Sequence, residues 1–273
     1  MEQTVTTAVV ESVQALNGRA GKAIYTPDEV RILTIDEYHE AARCLALAFA
    51  KDEVARYFID TKDMADCSEE EKWNLHVNIL EYIVAAHCYS GVVTAIGSNY
   101  DAVALWWVLC PSRFAVGVQA DRVRMPPGKN LDDWLTILRS GLWRLHYKLS
   151  AEGRKRFFSE FLPLLHDTKQ DILGERDDHS YYLVYLGSRP SSRGKGYAKK
   201  LVQYMTKKAD VENLPTYLEC SANANVEYYE KFGFELRRKV YLFRGEKPVG
   251  LDIMVREPPS RRDPTVNGPA RPV

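Results

Sequence analysis

The chain has 273 residues, 45% of them hydrophobic, enough for one large domain or two small ones with a sizeable core. Its 37 basic and 37 acidic side chains cancel, so it lacks the charge footprint of a protein that binds bulk nucleic acid or an acidic membrane. No run approaches the roughly 20 apolar residues of a membrane span, and no basic-then-apolar leader opens the chain. The five cysteines (Cys44, Cys67, Cys88, Cys110 and Cys220) are scattered, with no Cys-x-x-Cys pair. Reduced thiols, a cytoplasmic or nuclear compartment and no structural zinc follow as expectations.

Residues 1–26 are small and polar with no sustained period, and read as a flexible tail. Residues 30–34 predict a strand, and residues 35–50 a helix with Asp36 and Glu37 in its first turn, favourable for the dipole. Ser68 with Glu71 has the form of a capping box and opens a long helix to about residue 87. Residues 91–97 and 102–109 are apolar strands joined by a turn, a plausible hairpin in a central sheet. Within 111–178 the pattern predicts helices over about 131–148 and 151–165, with Trp134, Leu138, Leu142, Leu145 and Leu149 as one apolar face.

A strand-like run then ends at Gly187, and a loop with Pro190 leads to Arg193-Gly194-Lys195-Gly196. In the helix that follows, Ala198, Leu201, Val202, Met205 and Ala209 recur at helical spacing until Pro215 forbids continuation. Residues 216–220 predict a short strand, and 221–225 are rich in capping types. Residues 226–232 predict a brief helix stopped by Gly233, and 234–243 a strand. Residues 258–273, rich in Pro, Arg and Gly, read as a disordered tail. There is no internal repeat.

The stretch with most chemistry is 193–198. Two glycines at the mouth of a helix let the backbone approach a bulky anion, and the first N–H groups of the helix have no intrahelical acceptor. With the macrodipole these make a phosphate site. The loop has neither the Lys-Ser/Thr pair of a P-loop nor Gly-x-Gly-x-x-Gly. Taken alone, it reads more readily as a solvated basic turn before a surface helix.

Arg193-Gly194-Lys195-Gly196-Tyr197-Ala198 fits the Gln/Arg-x-x-Gly-x-Gly/Ala loop of the GNAT superfamily of acyl-CoA-dependent N-acetyltransferases. Tyr229-Glu230-Lys231-Phe232-Gly233-Phe234 fits that family's Tyr-x-Lys-x-Gly-Phe segment, and Leu218-Glu219-Cys220-Ser221 with Asn225 resembles the strand and helix start between them. The resemblance covers roughly residues 179–244, and extends to fungal and bacterial members of the puromycin N-acetyltransferase kind. It implies a mixed α/β fold: a mostly antiparallel sheet of six or seven strands flanked by helices, spanning residues 27–257. Many members join the third strand to the fourth through a short connection, so 111–178 is an insertion, either covering the substrate cleft or simply packing.

The resemblance also implies roles. Loop residues 193–198 would cradle the pyrophosphate of acetyl-CoA, the main chain of Leu186 and Ser188 would pair with its pantetheine arm, and Asn225 would contact it. Tyr229 would reprotonate the departing thiolate, or else be an aromatic core residue. A primary amine is mostly protonated, and reaching its neutral form costs about 4–5 kcal/mol near neutral pH, so a base is valuable. Some members place a glutamate in the fourth strand, where this chain has Tyr182. Glu219, acting through a water, is then the candidate base, with His179 the runner-up and a salt-bridged rim carboxylate the plain alternative. An acyl-enzyme on Cys220 would need an activating base, so direct transfer is favoured. The expected acceptor is a small-molecule amine with some apolar surface, with no metal, nucleic acid or membrane involved, in a monomer or homodimer. A peptide or protein N-acetyltransferase and a non-catalytic acyl-CoA-binding module are the alternatives.

Overall fold

The computed structural model describes residues 28–109 and 134–261. The expectations for the N-terminal tail, for residues 111–133 and for residues 262–273 lie outside the described residues. Seven strands among the described residues form one sheet: β1 (Arg31–Ile32), β2 (Val92–Ile96), β3 (Ala102–Leu109), β4 (Ser180–Ser188), β5 (Thr216–Cys220), β6 (Glu235–Leu242) and β7 (Val249–Arg256). Their order is β1-β2-β3-β4-β5-β7-β6. Every neighbouring pair is antiparallel except β4 and β5. This is the mixed α/β, mostly antiparallel sheet that the sequence predicts. The strand β7, which the sequence reading left unassigned, inserts between β5 and β6; its continuous burial from Leu251 to Arg256 suits an interior strand.

The helices are α1 (Tyr38–Phe49), α2 (Glu53–Tyr57), α3 (Glu69–Ser90), α4 (Trp134–Ser140), α5 (Leu145–Lys148), α6 (Ala151–Arg154), α7 (Leu162–Leu173), α8 (Tyr197–Glu212) and α9 (Val226–Glu230). The capping box forms as the sequence predicts: the Glu71 N–H donates to Ser68 Oγ at 3.2 Å and the Ser68 N–H to Glu71 Oε2 at 2.8 Å. One face of the sheet packs on α1, α3 and the inserted helices, with Leu45, Ile79, Leu105, Tyr217 and Ile253 in one core. The other packs on α8, whose Leu201, Val202 and Met205 meet Trp106, Tyr181 and Leu218. Strand alternation therefore sends Tyr217 to the first face and Leu218 to the second.

The insertion departs from the predicted pattern in two places. The helix expected over 131–148 breaks at Gly141, whose φ of 76° leaves the helical region; α4, a 3-10 turn (Leu142–Arg144) and α5 replace it. The break dissolves the expected single apolar face: Leu142, Leu145 and Leu149 are buried, but Leu138 is 56% exposed. The second helix runs past 165 to Leu173, with a π-helical turn (Lys155–Phe161) between α6 and α7. The cause is Pro163, which has no N–H and would crowd the Ser159 carbonyl. The helix widens ahead of it, and the Leu162 N–H reaches Phe157 O, five residues back. Near the C-terminus, residues 259–261 make a 3-10 turn, with the Ser260 hydroxyl bonded to Asn213, in place of the tail expected from Pro258.

Candidate active site

β4 and β5 pair only from Tyr181–Leu183 to Thr216–Leu218. Beyond that β4 follows β3 to Ser188, while β5 follows β7 to Cys220. A bulge helps part them: Leu105 lies opposite Tyr185 and Trp106 opposite Leu183, so Val184 is an extra residue that bends β4. A cavity of about 660 Å³ opens along this gap.

One end of the gap is main chain. The Arg189 N–H bonds Asp101 O at 2.9 Å on the β3 side. By alternation the main-chain groups of Leu186 and Ser188 point the other way, into the gap. The loop beyond is anchored by the Ser192 hydroxyl on Asp101. Gly194 (φ 80°) and Gly196 (φ 74°) take left-handed conformations, and no atom lies within 4 Å of where either side chain would begin. No side chain caps the N-terminus of α8, so its first N–H groups are open to an anion. Arg193 and Lys195 flank that end as exposed cations, Tyr197 carries the Lys195 and Lys200 ammoniums 5.8 and 6.0 Å from its ring, and Ala198 is half-buried beneath. Asn225 and Tyr229 line the cavity nearby. Tyr229 packs edge-on to Phe234 at 5.8 Å, and burial pushes its phenol far above the ordinary tyrosine range.

Glu219 lines the cavity on the α1/α3 face of the sheet, next to Cys220 on the other. Its residual exposure is to the cavity, and desolvation pushes its carboxyl up to about 7. The phenols of Tyr182 and Tyr217, edge-to-face at 5.4 Å, pull the other way. Among the described residues, Glu219 Oε1 and the Tyr217 hydroxyl are both buried without a hydrogen-bond partner. An acceptor oxygen so orphaned fits an N–H donor from outside the protein. Cys220 donates to Ala222 O at 3.1 Å and burial pushes its thiol up, which suits an inert packing residue better than a nucleophile. His179 is exposed ahead of β4 and is absent from the cavity wall.

The other end is built of side chains. Phe49, Trp107, Trp143, Phe157, Phe158 and Tyr185 come from five different segments to make aromatic walls. Asp52 caps α2, accepting the Ala55 N–H at 3.0 Å, and takes the Ser221 hydroxyl at 2.6 Å, bridging α2 to the end of β5. His87 is wholly buried, with Nδ1 2.7 Å from Ile83 O, and desolvation pushes it down to about 4, so it is neutral. Among the described residues the wall thus carries two carboxylates, Asp52 and Glu219, two histidines, His87 and His146, and no lysine or arginine. Among the described residues no group of three or more His, Cys, Asp or Glu side chains converges as a metal site.

Residues 166–236 match the family model described as an acetyltransferase (GNAT) domain. An uncharacterized N-acetyltransferase of Schizosaccharomyces pombe is 45% identical over 222 residues, covering 81% of this chain and 80% of that protein. The chain belongs to the GNAT family of N-acetyltransferases. A crystal structure of the mosquito arylalkylamine N-acetyltransferase like 5b shares the fold, with a TM-score of 0.53 at 12% identity, over 84% of this chain and 99% of that one.

Of the residues the sequence singled out, Leu186, Glu219, Asn225 and Tyr229 line the cavity, while Ser188 and the loop 193–198 lie outside its wall, on the segment that runs on from β4 into α8. Asp52, Trp107, Trp143 and the π-turn phenylalanines are additions. One of their signals was visible: Asp52 precedes Glu53 and Ala55 as an N-cap would. The aromatic walls had no local signal.

Proposed function

We propose that this N-acetyltransferase moves an acetyl group from acetyl-CoA directly to the primary amine of a small molecule with an aromatic body. The observation that carries the reading is the cavity wall: among the described residues it combines large aromatic and aliphatic surfaces with two carboxylates and no lysine or arginine. Its volume of about 660 Å³ lies in the range of small-molecule sites. An ammonium on an aromatic frame complements such a wall, and an acceptor bearing its own carboxylate is disfavoured there.

Acetyl-CoA supplies the activated acyl carbon. The open N-terminus of α8, with Gly194, Gly196, Tyr197, Ala198 and the Arg193 and Lys195 charges, would hold its pyrophosphate. The gap-facing main chain of Leu186 and Ser188 would hold the pantetheine amides, and Asn225 the region near the sulfur. Glu219, poised near neutral pH, takes the proton of the bound ammonium, the task for which a base near the working pH is best suited. Tyr229 stays protonated at any working pH, so it donates a hydrogen bond as charge builds on the departing sulfur. Its raised phenol makes it a weaker acid than an ordinary tyrosine, so stabilisation by that hydrogen bond precedes any full proton transfer.

The test is thiol release from acetyl-CoA by the purified chain with three acceptors: an arylalkyl monoamine, an aliphatic polyamine and a lysine-containing peptide. The arylalkyl amine is expected to have the highest kcat/KM. Faster turnover of the peptide would replace this reading with a peptide acetyltransferase. Acetyl-CoA binding with no turnover of any amine would leave a non-catalytic module.

A further inference from the structure

A buried cation stands behind the candidate base. Lys169, on α7, is only 7% exposed. Its ammonium is 5.8 Å from the centre of the Tyr182 ring and 6.0 Å from that of Tyr217, the two rings that bear on Glu219. It donates to Asp177 O at 3.0 Å and makes a close ion pair with the Asp177 carboxylate. The Ser180 hydroxyl donates to the same carbonyl at 3.0 Å, fixing the turn from α7 into β4. Taking a lysine out of water is costly even when it is paired. Joining α7 to the turn needs no charge, since an apolar side chain of similar length would pack against two tyrosine rings at least as well.

We infer that Lys169 is a positioning residue for catalysis: through the Tyr182–Tyr217 pair, its ammonium sets the field in which Glu219 gains and loses its proton. The inference rests on Glu219 being the base. Other ionisable groups face this cluster from each neighbouring element. Tyr182 and Tyr185 lie on β4, Tyr217 on β5, and Asp177 on the turn before β4. Arg238 on β6 bears on Tyr217, and is itself 3.1 Å from Asp171. Asp52 bears on Tyr185 from the α1–α2 turn, and His87 on α3 is neutral. β7 offers only Ile253 opposite Glu219. Lys169 is the cation that favours the Glu219 carboxylate, and Asp177 is its counterweight.

The two charges therefore have opposite effects on one observable, which a merely structural strut cannot imitate. The measurement is the pH dependence of kcat/KM, with acetyl-CoA and the preferred amine, for the full chain and its variants. Lys169→Met should move the acid limb up by about 0.5–1 unit. That is a loss of about three- to tenfold on the acid limb, with little change above it. Asp177→Asn, which keeps the cation and removes its counter-charge, should move the limb down. Lys169→Arg should restore the wild-type profile. Limbs that stay put, or that move the same way in both variants while thermal stability falls, would overturn the inference. If Lys169→Met does not fold, the direction of the Asp177→Asn shift decides. Glu219→Gln is the separate control: a wild-type acid limb surviving in that variant removes Glu219 as the base, whatever Lys169 does.

Discussion

The two ends of the cavity are built on opposite principles. The donor end is backbone: strand groups at Leu186 and Ser188, two left-handed glycines and the uncapped start of α8, all within thirteen consecutive residues. The acceptor end is side chains, gathered from α1, the α1–α2 turn, β3, the inserted helices, β4 and β5. Backbone recognition asks for a shape that many sequences can supply, so it survives as a short motif. Side-chain recognition asks for identities at scattered positions, so it is where one family member differs from another.

If this division is right, substitutions at the two ends should separate cleanly in kinetics. The largest effect is expected from Glu219→Gln, which should lower kcat by about 10²–10⁴-fold while leaving acetyl-CoA affinity unchanged in calorimetric titration. In the wild type, kcat/KM should fall as pH drops through about 7, because the carboxyl is then protonated and cannot accept a proton. Next, Gly194→Glu combined with Gly196→Glu should weaken acetyl-CoA binding by about 100-fold or more. Both residues would be strained, and two carboxylates would oppose the pyrophosphate. Circular dichroism should be unchanged, because neither new side chain meets a neighbour.

The third effect is on stability. The Glu219 carboxyl lies above its ordinary 4.5 in the folded chain, at about 7. Above that range the folded state holds a desolvated charge; below about 4.5 both states are protonated and the penalty is gone. Glu219→Gln should therefore be more stable than wild type in denaturant titrations near pH 8, by about 2–3 kcal/mol, with the gap closing as pH falls to about 4.5. The smallest effect is Trp143→Ala, which should raise KM for an arylalkyl amine about tenfold. It should leave a small aliphatic amine and acetyl-CoA nearly untouched; equal losses on donor and acceptor would break the comparison.

What the sequence made legible follows the same division. The donor loop, Tyr229 and the strand carrying Glu219 lie in contiguous segments whose local chemistry points to their use. Alternation along β5 already puts Tyr217 and Glu219 on one face. The aromatic walls were not legible, because Trp107 and Trp143 meet only after the inserted helices pack on the sheet. The Gly141 break was hidden because a glycine inside a helical pattern can be tolerated, and only tertiary packing decides that it turns the chain. β7 was missed because its place between β5 and β6 reverses sequence order. Lys169 lies beyond the helix expected over 151–165, and its burial is a property of the turn that follows α7.

The π-helical turn Lys155–Phe161 makes this acceptor pocket adjustable by deletion as well as by substitution. Removing one residue from the turn would rotate α6 against α7 by ~100°. Arg156 clamps the upstream side, donating to Tyr57 O at 2.8 Å and to Arg244 O at 3.1 Å, while Phe161, Leu162 and Leu165 line the cavity downstream. A single in-frame codon loss would force one of these sets out of register, and so remodel the aromatic wall in one step without touching a strand. Insertions and deletions at 155–161 are thus a route by which close relatives could acquire different amines.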